Sequence, residues 1–261
     1  MKKLFIIPLL SVATALCFVS CLEIGGSGNR EEGTLPAVFN YNVREGVYSM
    51  LTVAGEFAAP TLVASDLRQG DCILAHFTLD WDHQPTGDSL YRATNISYIM
   101  LGQSYAEVQS DFDEKELVVP AEDILPIQAI ALQSYHPILK GKVFFAFSHN
   151  APAKQEMDYI MIAKPNEDPS DNTVTVYITG KKKNNPDGSN TAIESLYAID
   201  TSGVIGELGQ ENTIRENSMD YRVQQLKIKV NYCTGVDENN VPKYQEYAYN
   251  NGTITLSDYK N

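Results

Sequence analysis

The chain has 261 residues, 43% of them hydrophobic, and sets 33 acidic side chains against 20 basic ones for a formal net charge of -13. That balance excludes the basic face by which proteins bind nucleic acid through counterion release, so no nucleic-acid partner is expected. The length allows one large or two ordinary domains, with cores that need no disulfide support.

The first element is a leader. Lys2 and Lys3 precede an apolar run from Leu4 to Val19 that ends at Ser20-Cys21. This run falls short of the ~20 residues that span a bilayer as a helix. A positive start, an apolar middle and a small residue before a cysteine read as a lipoprotein signal covering residues 1–20. Cys21 is then the acylated first residue, carrying chains such as palmitate. Each buried methylene contributes about 0.8 kcal/mol, and two or more chains hold a protein on a membrane. Phe18-Val19-Ser20 is a loose lipobox, which leaves ordinary secretion as the alternative. The expected location is the outer membrane or cell surface by a lipid anchor, with the leaflet open. Residues 21–34, rich in glycine and charge, read as a flexible tether, with folding expected to begin near Leu35.

From there the dominant period is two, and the expected fold class is all-β. Strands are expected over Val47 to Phe57, then Cys72 to Leu79 and Tyr91 to Leu101 as a curved hairpin, then Leu117 to Val119 and Pro126 to Leu132. Ile73, Ala75, Phe77 and Leu79 share one face of the first hairpin strand, and Leu74, His76 and Thr78 share the other. Glu107 to Lys115 reads as a polar connection or short helical turn. This first group, residues 35–135, forms a small barrel of the OB kind or a sandwich.

A second group, residues 136–261, carries strands at Lys142 to Ser148, Tyr159 to Ala163, Thr173 to Thr179, Ile193 to Ile199, Tyr221 to Tyr232, Tyr244 to Tyr249 and Thr253 to Leu256, and reads as a β-sandwich. Ala153 to Met157 and Thr213 to Met219 are candidate short helices. Lys181-Lys182-Lys183, followed by Asn184-Asn185-Pro186-Asp187-Gly188, reads as a hairpin tip. Cys72 and Cys233 fall in different groups and are expected as buried free thiols.

Several patterns bear on chemistry. Gly87-Asp88-Ser89-Leu90 spells the signature of GDSL esterases, but Asp80-Trp81-Asp82-His83 supplies the aspartate-x-x-histidine spacing upstream of the serine instead of downstream. A polar turn is the plainer reading. Asp80, Asp82 and Asp88 offer hard oxygen ligands for calcium without the twelve-residue loop pattern, and Ser89 is a candidate O-glycosylation acceptor in Asp88-Ser89-Leu90. His76, His83, His136 and His149 sit singly, so no metal site and no cofactor is assigned. Trp81, the only tryptophan, together with Tyr244, Tyr247 and Tyr249, are the candidate ligand-binding aromatics. No catalytic residue is assigned, and the protein reads as no enzyme.

The order of lipobox at Cys21, polar tether and Leu67-Arg68-Gln69-Gly70-Asp71-Cys72-Ile73-Leu74-Ala75-His76-Phe77-Thr78-Leu79 with a tyrosine-containing partner strand resembles the NigD-like lipoproteins of Bacteroidota. That resemblance implies an N-terminal OB-type barrel, a C-terminal β-sandwich and a bacteriocin immunity or secretion role, with no catalytic residues to carry over. The expected partner is an envelope or secreted protein; a glycan is the alternative. A third reading is an adhesin or pilus-related subunit that exchanges the strand Thr253 to Leu256 between copies. Replacing Cys21→Ser is expected to abolish incorporation of an alkynyl palmitate label and to move the protein from the membrane to the soluble fraction, read by in-gel fluorescence after fractionation.

Overall fold

A computed structural model describes residues 29–58, 66–84, 90–135, 139–168, 173–216, 219–249 and 252–259. The leader and Cys21, and also Ser89 and His136, lie outside the described residues.

Alternation of apolar and polar residues builds the first unit. Strands β1 (Arg30–Asn42), β2 (Val47–Thr52), β3 (Gly55–Ala58), β4 (Cys72–Asp80) and β5 (Leu90–Met100) close into a barrel of order β1-β2-β3-β5-β4. The β3/β5 pair is parallel and the others antiparallel. A closed five-stranded barrel of this order is the OB arrangement. Ile73, Ala75, Phe77 and Leu79 point inward to meet Ala37, Phe39, Met50 and Phe57, while His76 on the outer face pairs with Thr34.

Two expectations change here. Residues 30–34, read as tether, are the first part of β1 and pair with β4 from Arg30↔Asp80 to Thr34↔His76. The charged side chains of Arg30 and Glu32 are exposed, while Glu31 shares the strand face of Gly33 and Leu35. Gly33 fits where a β carbon would stand 3.2 Å from the Phe77 ring, so a composition that suggests a linker is a strand crossing over an aromatic ring. The stretch Val47 to Phe57 is not one strand but the β2/β3 hairpin, turned at Val53-Ala54 and closed by Gly55 at φ +128°. That φ favours glycine.

The second unit starts earlier than residue 136. Strands β6 (Gly102–Val108) and β7 (Ile127–Tyr135) join β8 (Lys142–Pro152), β9 (Met157–Pro165), β10 (Thr173–Lys182), β11 (Asn190–Asp200), β12 (Gln210–Glu216), β13 (Met219–Val236), β14 (Pro242–Glu246) and β15 (Ile254–Tyr259). The order is β12-β13-β10-β9-β6-β11-β8-β7, with β14 and β15 added on β13. This sheet doubles over itself into a sandwich. Phe145, Phe147 and Ile199 from one layer meet Tyr159, Met161, Val176 and Ile228 from the other, and the Phe147 and Tyr159 rings stack at 3.8 Å. Val174, Val176 and Ile178 face this core, as their period predicts.

The outer face of β10 is covered too. The segment between β6 and β7 lays Phe112 against Ile162 and Tyr177, and Val119 and Ile124 against Cys233. Leu117 to Val119, expected as a strand, belongs to this irregular cover. Thr213 to Met219, expected as a helix, falls mostly in β12, and Ala153 to Met157 is a turn leading into β9. The one α-helix among the described residues, α1 (Ser202–Leu208), buries only Val204 and Ile205. Lys181 to Gly188 is no hairpin tip, because β10 and β11 belong to different layers; Lys182 Nζ donates to the Glu122 carbonyl and Lys183 pairs with Asp158. Strand β15 makes its hydrogen bonds to β13 of the same chain.

The two units meet on a shared apolar seam. Val38, Leu51 and Cys72 of the barrel pack on Leu139, Phe144 and Ala198, and Lys140 Nζ donates to Asn40 Oδ1 at 2.8 Å. Cys72 and Cys233 are both free and buried, in separate clusters; burial pushes the Cys72 thiol up to about 12. Gly102, the first residue of β6, has the Tyr197 ring 2.3 Å from where a β carbon would sit. Gly102→Ala is therefore expected to cost about 1–3 kcal/mol of stability by overpacking, measured by chemical denaturation, with the all-β far-ultraviolet spectrum retained.

Candidate functional site

The open end of the barrel carries an aromatic pocket. After β4 the chain makes a single 3-10 turn, Trp81–His83, with Asp80 as its cap. Asp80 Oδ1 accepts the Asp82 N–H at 3.2 Å and faces His83 Nδ1 at 3.1 Å, while Oδ2 takes Arg30 Nε at 3.3 Å. The His83 hydrogen bond, then Arg30, hold this exposed carboxyl below its usual value. Gln84 ties the same turn to β5, donating to the Asp80 and Arg92 carbonyls and accepting the Arg92 N–H.

This turn aims Trp81 across the barrel mouth, where it stays 42% exposed. Its backbone N–H donates to the Asn29 carbonyl at 2.7 Å, its Nε1 donates to Glu31 Oε2 at 2.9 Å, and its ring meets Tyr91 edge to face at 5.6 Å and 78°. Below it, Phe57 and Phe77 lie 4.8 Å apart. Together with Gly33, Leu35, Ala54 and Leu79 these residues line a pocket of about 140 Å³. Among the described residues, Glu31 is its sole charged group. Apart from Glu31 and the Tyr91 hydroxyl, the lining among the described residues is aromatic and aliphatic, an arrangement suited to holding a group.

Of the candidate aromatics, the structure brings only Trp81 to this pocket. Tyr244 packs against Phe112 and Tyr177, its hydroxyl 3.1 Å from Thr179 Oγ1. Tyr247 and Tyr249 stack on each other at 6.1 Å along the sandwich core, where Tyr247 Oη accepts the Leu132 N–H and Tyr249 meets Tyr135. The three tyrosines thus form no common platform. Their residue numbers carry the reason, since period two puts position 244 on the opposite face from 247 and 249. Asp88 and Ser89 lie outside the described residues, so the acidic loop is described only at Asp80 and Asp82; Asp82 accepts from Asn29. No cluster of three metal-ligating side chains occurs among the described residues.

Glu31, Gly33, Phe57, Phe77 and Tyr91 are the site residues that sequence reasoning missed. Parity puts Phe77 on one face with Ile73, Ala75 and Leu79, but nothing short of the closed barrel shows that this face is the core and that its last ring stands at an open end.

No protein-family model matches the chain, and no curated protein matches it. Among solved structures, the chain is similar to a protein of unknown function, DUF1344, from Bacteroides vulgatus, with 11% identity over 84% of this chain and 91% of that one and a TM-score of 0.48. It is similar to a NigD-like immunity protein from Bacteroides caccae, with 9% identity over 87% of this chain and 99% of that one at a TM-score of 0.45. A candidate lipoprotein from Bacteroides fragilis matches with 11% identity, 88% and 98% coverage and a TM-score of 0.49. No helix among the described residues is long and apolar enough to cross a membrane.

One histidine is structural. His149 is buried between the sandwich layers, with Nδ1 2.9 Å from the Pro126 carbonyl and Nε2 2.6 Å from Tyr159 Oη, which in turn lies 2.5 Å from Ser195 Oγ. Burial lowers its pKa below the ordinary 6.5. The unfolded chain therefore takes up a proton before the folded one does, so this histidine's contribution is whole above about pH 6.5 and is lost as the pH falls from there toward the lowered value. Denaturation midpoints between pH 7.5 and 5 are expected to fall for the wild type and to flatten in His149→Gln.

Proposed function

We propose that this chain is a noncatalytic, lipid-anchored protein of the bacterial cell envelope whose barrel mouth captures a group on a protein partner. The single observation that carries the binding role is the aromatic pocket with an exposed Trp81 over it. An indole left part in water gains when a partner covers it. Here it is already fixed by Glu31 and Tyr91, so little side-chain entropy remains to be lost on binding. The anchoring part of the reading rests on Lys2, Lys3, the apolar run and Cys21. The likeness of residues 67–79 to NigD-like lipoproteins favours an envelope or secreted protein as partner, in an immunity or secretion-associated role.

A second reading is a surface glycan stacked on Trp81, favoured by that ring's exposure and by an acidic surface that does not oppose a neutral sugar. The test is capture of envelope proteins on immobilised wild-type protein and on Trp81→Ala, quantified by mass spectrometry beside a polysaccharide panel. Loss of at least about tenfold in one protein's recovery, with the thermal midpoint little changed, is the expected result, in line with an aromatic hot spot. Equal recovery on both proteins refutes the site, and a Trp81-dependent polysaccharide signal without a protein one transfers it to the glycan.

A further inference from the structure

We propose that the group taken by the barrel mouth is an alkylated ammonium, a cation whose nitrogen carries methyl groups in place of N–H donors. This rests on the reading of the mouth as the binding site and names the chemistry it selects. Four aromatic rings, Phe57, Phe77, Trp81 and Tyr91, line a pocket whose sole charged group among the described residues is the Glu31 carboxylate. Trp81 and Tyr91 stand nearly at right angles, which gives two walls of a box. Aromatic faces attract cations through their negative quadrupole, and aromatic boxes are a known solution for quaternary ammonium groups.

Alternatives fit less well. Glu31 Oε2 accepts from Trp81 Nε1, and Oε1 has no hydrogen bond from a described residue, which leaves it as an acceptor for a ligand. A primary ammonium brings three N–H donors, of which two would go unpaired among rings at the cost of an unmet buried polar group. A neutral apolar group would cover Glu31 without compensating its charge. No basic residue among the described ones lines the pocket, and nearby Arg30 is paired with Asp80, so an anion finds no counter-charge among them. The net charge of -13 acts in the same direction. A phosphate next to the ammonium is therefore disfavoured. Size agrees as well: a volume of about 140 Å³ is close to the ~150 Å³ of a cavity that holds benzene, enough for a group of about six heavy atoms.

Trp81 is the only tryptophan in the chain, so its emission reports on this pocket alone. The full-length protein is titrated with choline, with phosphocholine, with a short trimethyllysine peptide and with 3,3-dimethylbutan-1-ol, the neutral carbon isostere of choline. Calorimetry checks each titration. Choline and the peptide are expected to give saturable changes, the isostere to bind at least about tenfold more weakly, and phosphocholine to bind more weakly than choline. A tighter peptide than choline assigns the cation to a protein partner. Glu31→Gln keeps the fluorophore and is expected to narrow the gap between choline and isostere by at least about threefold. An isostere as tight as choline overturns the cation while leaving the mouth as a binding site. Silence toward every ligand overturns the cation as well, and if Trp81→Ala then still captures its partner fully, the binding-site reading falls with it.

Discussion

Strand β6 is the constraint on which the rest of the molecule depends. Gly102 to Tyr105 pair in parallel with β11, and Ala106 to Val108 pair in parallel with β9, so one short strand belongs first to one layer of the sandwich and then to the other. Strands that change sheets make the corners of such folds. It also follows β5 after a single residue, Leu101, whose N–H donates to the Cys72 carbonyl. The last barrel strand is thereby committed to the fold of the sandwich. The close approach of Gly102 to Tyr197 sets where the turn between the units can occur, and the seam of Val38, Leu51, Cys72, Leu139, Phe144 and Ala198 fills the space that results.

That geometry decides where the pocket points. Strand β4 begins at the seam with Cys72 and ends at the mouth with Asp80, and β5 returns from Leu90 at the mouth to Met100 beside the seam. Nine residues of strand, eight rises of ~3.3 Å, separate the two ends by about 26 Å. The mouth therefore faces away from the sandwich, and its surroundings come from β1, the β2/β3 turn and the turn after β4. The sandwich serves the site by clamping the seam end of the strands, which leaves the opposite end to carry the exposed ring.

How much of this was legible in the sequence follows from what period two can and cannot encode. It shows Ile73, Ala75, Phe77 and Leu79 on one face and the core row of β10, because each depends only on alternation within one strand, and the neighbouring run from Tyr91 supplies the hairpin partner. It missed that residues 30–34 are strand, since Gly33 and its charged neighbours match a linker in composition while their pairing is made with β4, far along the chain. Gln133-Ser134-Tyr135-His136-Pro137 breaks the alternation and suggests a boundary at 135, but which sheet a strand joins is a matter of long-range pairing, and β6 and β7 pair with the later strands. Helix α1 escaped notice, as two buried residues leave almost no period to read. At the site, Trp81 was singled out as an exposed aromatic, but Glu31 and Tyr91 acquire meaning only when β1, β4 and β5 are side by side.

With Cys21 acylated as proposed, the same pairing gives the mouth a direction in the cell. Asn29, the first described residue, has a carbonyl that accepts the Trp81 N–H, and Glu31 and Gly33 follow on the wall of the pocket. Eight peptide units between Cys21 and Asn29 reach at most about 28 Å when fully extended. The pocket is then held within a few nanometres of the lipid, while the sandwich, at the far end of the barrel strands, is the part displaced from the membrane. A partner lying along the membrane surface would meet Trp81 and Glu31 without crossing the sandwich, whereas a partner approaching from solution would reach the sandwich first. Lengthening the tether with additional Gly-Ser units separates these cases physically, because it relaxes the distance to the membrane and leaves every residue of the mouth unchanged.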